Sequence, residues 1–383
     1  MYFDAQLSVL INGNPVTTVV SVKVSNDAQK VGSNCDVVLP LNSYIQYSDP
    51  NTLQTYLTAI RTDTFSSGDT IEITASYKGY PTLTAFKGFI YDAALGMPVT
   101  VKCLDYVYFF NLGIFGEDRV SLKNKSGTKI KKSGTGIHYD SVQFKDILQQ
   151  LIDFVNETID DQNTGNPLTD AAHCSLMLPT FDMELQNLTF INMSPASILE
   201  WFKKQLGFNI TFIGSQLYVN LASNTTGQIK LDTGINVIES KLQTTIKLRT
   251  GKKANSAFEK IKLTCWFIRS DSTRDSLQVG DQNGVQEECF FYNVKRDATN
   301  YETLANAALL KHQQHRYHGE IETLFYPDCD LFYTVNYQDR RYPEKNGVYF
   351  IIAITTELSE KGFHRRLKLA WLADLTSNEI LST

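Results

Sequence analysis

The chain has 383 residues, of which 42% are hydrophobic and 20% charged, so it can bury sizeable cores and is too apolar to be disordered. At ~100–200 residues per domain, this length predicts two or three domains. Its 36 Lys and Arg residues against 41 Asp and Glu residues leave a formal net charge of −5, which disfavours a protein that grips nucleic acid along its surface.

The composition also predicts the fold class and the compartment. The 22 Phe, 19 Tyr and 3 Trp residues stand among frequent Thr, Val and Ile, which favours sheets over helical bundles. The first residues, Met1–Asp4, have no basic region before an apolar stretch, so we expect no signal peptide. The sequence has no run of about 18 apolar residues, so it predicts no membrane-spanning helix.

The six cysteines lie far apart, and none forms the C-x-x-C spacing of zinc or redox sites. Most stand inside strand-like runs, so we expect small buried hydrophobic residues in a reducing cytoplasm. They are Cys35, Cys103, Cys174, Cys265, Cys289 and Cys329.

Residues 1–106 read as about five short strands of a small barrel or sandwich. Leu7–Ile11 runs into the tight turn Asn12–Pro15, since Asn and Gly tolerate a positive φ. A strand over Val16–Val24 follows the turn. The later strands are predicted at Thr70–Ala75, Leu83–Ile90 and Val99–Cys103.

Residues 107–225 predict a mixed α+β segment. The stretch 121–136 is rich in Gly, Ser and Lys and is interpreted as a mobile basic loop. Apolar residues at helical spacing predict a helix over Val142–Val155, capped by Asp140 or Ser141. A second helix begins at Ser194-Pro195 and ends at Gly207, and a hairpin over 208–221 follows it.

Residues 226–383 return to strands, interrupted by a helix over 299–318 in which Thr299 and Glu302 form a capping box. The predicted strands are Ile261–Ile268, Cys289–Val294, Ile321–Tyr326, Leu331–Tyr337, Val348–Thr355 and His364–Trp371.

The two strand-rich ends share an order of features that predicts an internal duplication. In each, an acidic residue opens a strand, a Pro-containing loop leads to a strand begun at Gly, and a closing strand carries one Lys. Any antiparallel meander has a similar order, so this alternative stays open. The matched runs are Gly68–Ile73, Lys87–Tyr91 and Val99–Leu104 in the first end and Cys329–Val335, Asn346–Ile351 and Arg366–Trp371 in the second.

Three candidate ligand sites are weak. His312, His315 and His318 stand three apart, but on a helix their rings fan out over about 120° and converge poorly on one metal ion. The five lysines between Lys123 and Lys132 lack the order of a phosphate-binding loop, which leaves a solvated loop or contact with an acidic partner. The stretch Asp160–Gly165 lacks the closing Glu of a calcium loop and is interpreted as a turn.

The sequence contains none of the motifs G-x-S-x-G, H-E-x-x-H or G-x-G-x-x-G. Carboxylates brought together by folding would leave no such motif. We therefore predict no enzyme and assign no catalytic, cofactor-binding or metal-binding residues.

In the order of its motifs the chain resembles phage tail hub proteins. Gly68–Ile73, Phe86–Ile90 and Pro98–Asp105 are similar to their first barrel, and the helices at Val142–Val155 and Ser194–Phe202 to their middle region. The helix at Thr299–His318 with the strands after it resembles their second barrel. The resemblance spans nearly the whole chain, except the loop 121–136 and the stretch Asp160–Asp170. The motifs are strand patterns, so their order carries the resemblance.

The resemblance implies a first hub barrel over 1–106, an α+β middle domain over 107–225 and a second hub barrel over 226–383. It implies a homotrimer whose six barrels match a hexameric tail tube, with a spike or fibre below. The protein would be made in the cytoplasm of the bacterial host and lie in the virion tail of a phage or prophage. The implied partners are the tube or distal tail protein, the spike or fibre and the tape-measure protein. DNA would pass without specific binding, and no cofactor is implied.

Two alternatives remain. The same fold serves as the hub of contractile injection or type VI-like secretion machines. A tail-associated cell-wall hydrolase is the enzymatic alternative, which a lytic assay would detect.

Overall fold

The computed structural model describes residues 4–48, 54–61, 64–94, 96–115, 130–133, 136–162, 173–177, 181–220, 227–244, 248–249, 252–253, 261–269, 271–313 and 317–371. The chain is mainly β with an α+β middle, as the composition predicted. In the described part, no helix is long and apolar enough to cross a membrane.

The part of the first end that the structure describes forms nine strands, which we call the first strand unit. They are β1 (Ala5–Ile11), β2 (Asn14–Pro15), β3 (Ser21–Asp27), β4 (Ser33–Leu39), β5 (Tyr44–Ser48), β6 (Thr55–Ala59), β7 (Thr70–Tyr77), β8 (Leu83–Ala94) and β9 (Val99–Leu104).

The turn between β1 and β2 has the predicted positive φ, 50° at Asn12 and 75° at Gly13. The strand expected from Val16 begins only at Ser21. Val16 instead bridges to Ile45, and the Thr17 N–H donates to the Tyr44 carbonyl at 2.9 Å, because this segment passes beside the separate β5–β6 hairpin.

In the middle of the chain, the described residues form three helices and six strands. They are α1 (Val107–Phe110), β10 (Ile130–Ser133), β11 (Gly136–Gln143), α2 (Phe144–Gln162), β12 (Ser175–Met177), β13 (Glu184–Ile191), α3 (Pro195–Leu206), β14 (Asn209–Ile213) and β15 (Gln216–Asn220).

Helix α3 confirms the prediction in detail. The Ser194 side chain accepts a hydrogen bond from the Ser197 N–H at 3.2 Å, and Gly207 ends the helix in the left-handed conformation. The following hairpin β14–β15 is also confirmed.

Helix α2 begins later than predicted. Asp140, Ser141 and Val142 belong to β11, where Val142 pairs with Leu185 of β13, so the predicted cap was wrong. The sheet pairing competes with the helical pattern there and prevails up to Gln143. The proposed turn at Asp160–Gly165 was wrong in its first part, since Asp160–Gln162 end α2, and the rest lies outside the described residues.

The basic loop 121–136 lies mostly outside the described residues. Its described part is not a loop, because Ile130–Ser133 form β10 and pair with β11.

The described residues after the middle of the chain form twelve strands and one long helix. They are β16 (Gly227–Asp232), β17 (Val237–Ser240), β18 (Gln243–Thr244), β19 (Leu248–Arg249), β20 (Lys252–Lys253), β21 (Ile261–Ile268), β22 (Arg274–Gly280), β23 (Val285–Tyr292), α4 (Ala298–Gln313), β24 (Tyr317–Leu324), β25 (Tyr333–Gln338), β26 (Gly347–Ser359) and β27 (Gly362–Trp371).

Helix α4 differs from its prediction at both ends. It starts one residue before Thr299, and the Asp297 carboxylate accepts from the Thr299 N–H at 2.9 Å, so the capping box with Glu302 was wrong. It ends at Gln313, and β24 starts at Tyr317. His318 therefore lies on a strand and not on the helix.

Strands β21–β23 do not belong to the same sheet as the other C-terminal strands. They form a three-stranded sheet of their own, and their buried side chains share one hydrophobic cluster with α2, α3 and the middle strands. Their sequence position predicted that they would lie with the second barrel, but their buried side chains pack with the middle segment. The domain limits drawn from the sequence stay a prediction.

Strands β19 and β20 pair with each other in a separate sheet, and the remaining C-terminal strands, β16–β18 and β24–β27, form what we call the second strand unit. They share a 14-stranded sheet with strands of the first unit, yet each unit has its own buried cluster. Among the described residues, no strand pairing joins the two ends of this row of strands. Barrel closure therefore stays a prediction.

Candidate assembly surfaces

The two strand units have the same strand order. Along the sheet, the first unit reads β1-β7-β8-β9-β4-β3 and the second reads β16-β25-β26-β27-β24-β17. Chain order is preserved in this correspondence, from β1 with β16 to β9 with β27. One ladder differs, since β1 is antiparallel to β7 and β16 is parallel to β25.

The registers match at the level of single residues. Thr70 faces Phe89 in the first unit and Thr334 faces Phe350 in the second, with a bulge immediately after each Phe-Ile pair, at Ile90 and Ile351. A bulge at the same place in two ladders is a specific feature, because it bends the strand and shifts all later pairs.

The turns before these strands match as well. The N–H of Gly68 donates to the Ile90 carbonyl at 2.8 Å, and that of Phe332 donates to the Ile351 carbonyl at 3.1 Å. Both Gly68 and Phe332 have a positive φ, 96° and 66°. The sequence matched Asp69 with Asp330, which is three positions off this register.

The closing strands place the same charges opposite each other. Lys102 faces Asp36, and Lys368 faces Glu320. The single Lys noted in each closing strand therefore occupies one equivalent position, opposite an acidic residue of the neighbouring strand. By the same register Lys23 corresponds to Lys241, whose N–H donates to the Glu320 carbonyl at 2.8 Å.

The two units join edge to edge within the chain. Strand β26 is long enough for two partners on one edge, so Gly347–Phe350 pair with β25 and Ala353–Ser359 pair with β3. Across this junction Lys23 Nζ lies 3.8 Å from Glu357 Oε1. The hairpin tip beyond it buries Leu358 (0% exposed) and Phe363 in the core of the first unit.

Among the described residues, the counterparts of these two joined edges have no strand partner. Asp92–Ala94 of β8, which correspond to the start of the junction in β26, pair with β9 on one edge and with no described strand on the other. Strand β17, the counterpart of β3, pairs only with β24 in the described residues. Both edges carry exposed apolar side chains, with Tyr91 42% and Ile238 51% exposed.

The corresponding hairpins β26–β27 and β8–β9 also differ in the burial of the apolar side chains at or beside their tips. Beside the β26–β27 tip, Leu358 and Phe363 are buried on the first unit, whereas Met97 at the β8–β9 tip is 85% exposed. The chain thus presents two edges without a strand partner in the described residues, one at the β8–β9 hairpin and one at β17.

The seam between the units holds a buried carboxyl. Asp105 accepts hydrogen bonds from the Ser33 N–H at 2.6 Å and the Val107 N–H at 2.9 Å. Burial, with a smaller contribution from the charge of Asp330, raises its pKa to about 6. It lines a cavity of about 370 Å³ together with Asp330 and Arg365. Its hydrogen bonds hold the β4 entry to α1, which is a structural role.

Two lysines in the middle of the chain are also partly buried. Lys203 Nζ donates to the Ile210 carbonyl at 2.8 Å and to the Lys30 carbonyl, and Lys311 Nζ donates to the Gly207 carbonyl. Burial lowers the pKa of Lys203 to about 7 and that of Lys311 to about 8. Both ammonium groups donate to backbone carbonyls. Lys203 thereby connects α3 to β14 and to Lys30, and Lys311 connects α4 to Gly207 at the end of α3.

The three histidines do not form a single cluster in the described residues. His312 Nδ1 is bonded to Glu287 on β23, His318 lies on β24, and His315 lies outside the described residues. No described group of three or more His, Cys, Asp or Glu side chains is arranged to hold a metal ion.

No protein-family model matches the sequence, and no significant match is found among curated proteins.

Solved structures do match. A tail protein from Neisseria meningitidis aligns with a TM-score of 0.58 and 10% identity, over 96% of this chain and 97% of that one. The 43 kDa tail protein of prophage MuSo2 from Shewanella oneidensis aligns with a TM-score of 0.54 and 14% identity, over 96% and 98%.

An E. coli component of the type VI secretion system, described as similar in structure to the tail proteins gp27 and gp5 of bacteriophage T4, aligns with a TM-score of 0.52 and 9% identity, over 96% of this chain and 77% of that one. At this identity the likeness concerns the fold. It confirms the resemblance read from the strand patterns, and the chain has the fold of these phage and prophage tail proteins.

Proposed function

We propose that the chain is a structural tail hub protein of a phage or prophage, which forms a homotrimeric ring between the tail tube and the central spike or fibre. The observation that carries the proposal is the duplicated strand order with one junction made inside the chain and its two counterpart edges left open. The tail proteins that share the fold support the same role.

The open edges indicate how copies would join. If β8 of one copy lies beside β17 and β18 of the next, each contact between copies repeats the contact between β26 and β3 within a copy. Such a head-to-tail contact forms a ring when the rotation closes. Three copies then present six similar units, which is the number that a hexameric tube requires.

The contact would bury what a single copy leaves exposed. The edges of β8 and β17 would gain hydrogen-bond partners, which removes a template for aggregation. Met97 would enter the neighbouring copy as Leu358 enters the first unit. The net charge of −5 suits a ring through which DNA passes without specific binding.

A hub of a type VI-like secretion machine is the second candidate. The E. coli type VI secretion component that shares the fold favours it. Both candidates give the same ring and differ in what lies above and below it. Neither assigns catalytic residues, and we propose that the protein is not an enzyme.

The mass and symmetry of the purified particle test the proposal. Native mass spectrometry and electron microscopy, with the tube protein added, are expected to show a three-fold particle with six similar lobes. A particle map in which this chain lies away from the tail axis would contradict the proposal, because the duplicated units are explained only by a central position.

A further inference from the structure

Two cysteines lie side by side in the sheet of β21–β23. Cys265 of the central strand β21 and Cys289 of the parallel edge strand β23 are direct partners in the register, and their Sγ atoms are 2.9 Å apart in a thiol–thiol hydrogen bond. We propose that Cys265 and Cys289 form a reversible disulfide when the folded protein meets a small-molecule disulfide.

The backbone already has the spacing that this bond needs. Paired strands lie about 4.8 Å apart, and the Cα atoms of a disulfide are commonly about 4.4–6.8 Å apart. Both side chains point to the same face of the sheet, since the residues are directly paired. Rotation of the two Sγ atoms is therefore sufficient to form the bond.

The two thiols are suited to different steps. Cys289 lies on the edge strand and is partly exposed, whereas Cys265 is fully buried behind it. The hydrogen bond between the two thiols lowers the pKa of Cys289, and the same bond together with burial raises the pKa of Cys265. Since the thiolate is the nucleophile, Cys289 reacts first.

The reaction balances with oxidised glutathione as the oxidant. The Cys289 thiolate attacks one sulfur of glutathione disulfide, forms a mixed disulfide and releases one glutathione thiolate. Cys265 then gives up its proton, attacks Cys289 Sγ and expels the second glutathione. Two protein thiols are oxidised, and one small disulfide is reduced to two thiols.

A second pair in the chain provides an internal comparison. Cys35 and Cys103 also face each other, on the antiparallel strands β4 and β9. Both are 0% exposed, and burial raises the pKa of both thiols. A small disulfide has no partly exposed thiol to attack there, so this pair stays reduced in the folded protein.

The ability of the two thiols to form a disulfide does not depend on the proposed function, but the stage at which the bond would form rests on it. A tail protein is made in a reducing cytoplasm and meets oxidising conditions when the particle is released. The bond would then link the central and edge strands of this sheet after assembly.

Peptide mapping of the purified chain tests the inference, whatever its oligomeric state. The folded protein is treated with oxidised glutathione, free thiols are alkylated after unfolding, and the chain is cleaved by trypsin without reduction. Cleavage separates Cys265, on peptide 263–269, from Cys289, on peptide 275–295, and it also separates Cys35 from Cys103.

We expect peptides 263–269 and 275–295 to be linked, with Cys35 and Cys103 alkylated. Unlinked peptides, or linkage of Cys35 to Cys103 at the same rate, would overturn the inference. Because the peptide mapping uses the wild-type chain, its result does not depend on the folding of a variant.

Two variants separate the steps. Cys265→Ser removes the resolving thiol, so Cys289 should accumulate as a stable mixed disulfide with glutathione. Cys289→Ser should leave Cys265 unmodified. An unmodified Cys289 in folded Cys265→Ser, checked by circular dichroism, would contradict the assigned order of attack.

Discussion

Truncation of Leu358 tests whether the two strand units stabilise each other. Leu358 lies near the end of β26 in the second unit but is fully buried in the hydrophobic cluster of the first. Beside it Tyr77 Oη of β7 donates to the Phe363 carbonyl at 2.7 Å. Leu358→Ala removes three carbon groups at about 0.8 kcal/mol each, and the cavity left behind raises the expected loss to about 3 kcal/mol.

Met97 at the corresponding tip of the first unit is the matched control. It is 85% exposed, so Met97→Ala should change the free energy of unfolding of the single copy by less than about 0.5 kcal/mol. Both variants are measured by guanidinium unfolding at a concentration at which the protein is monomeric. A loss below about 1 kcal/mol for Leu358→Ala, or equal losses for both variants, would refute the junction as a stabilising contact.

Four further predictions address assembly, pH, oxidation and metal binding. Met97→Asp should prevent or weaken ring formation in native mass spectrometry while leaving the circular dichroism spectrum unchanged; an intact trimer would show that this tip lies outside the contact. The pKa of Lys203 is lowered from 10.5 to about 7, so the unfolded chain binds this proton more tightly and stability should rise from pH 7 towards pH 10.5. Lys203→Met should reduce that rise in urea titrations, leaving the part that the lowered pKa of Lys311 contributes, and an unchanged slope would contradict the assignment. The Cys265–Cys289 disulfide closes a separation of 24 residues and should raise the free energy of unfolding of the oxidised chain by about 3 kcal/mol over the reduced chain. Elemental analysis should find no stoichiometric zinc; zinc that disappears in His315→Ala would overturn this.

Local signals in the sequence determined several elements correctly. Helix α3 has its cap at Ser194, its proline at the first position and its glycine at Gly207, and each of these residues acts on the turn at its own end of the helix. The hairpin β14–β15 is likewise set by adjacent residues. Such features are predictable because a cap or a tight turn is made by residues that are neighbours in the chain.

Competition between elements was decided by the tertiary structure. Val142 fits the helical spacing of α2, but its place opposite Leu185 in β13 makes it part of a strand. Strands β21 and β23 have ordinary strand patterns, and nothing in those patterns shows that their core is shared with α2 and α3. Periodicity states which side of an element is apolar but not what covers that side.

The assembly surfaces show the same division. The sequence by itself determined that two strand-rich ends flank a mixed middle and that their features follow one order. Only the tertiary structure decided the register that equates Ile90 with Ile351, the junction of Ala353–Ser359 with β3, and the open edges that correspond to it. Pairing between strands more than 300 residues apart depends on backbone hydrogen bonds that any side chain permits, so it leaves no local pattern in the sequence.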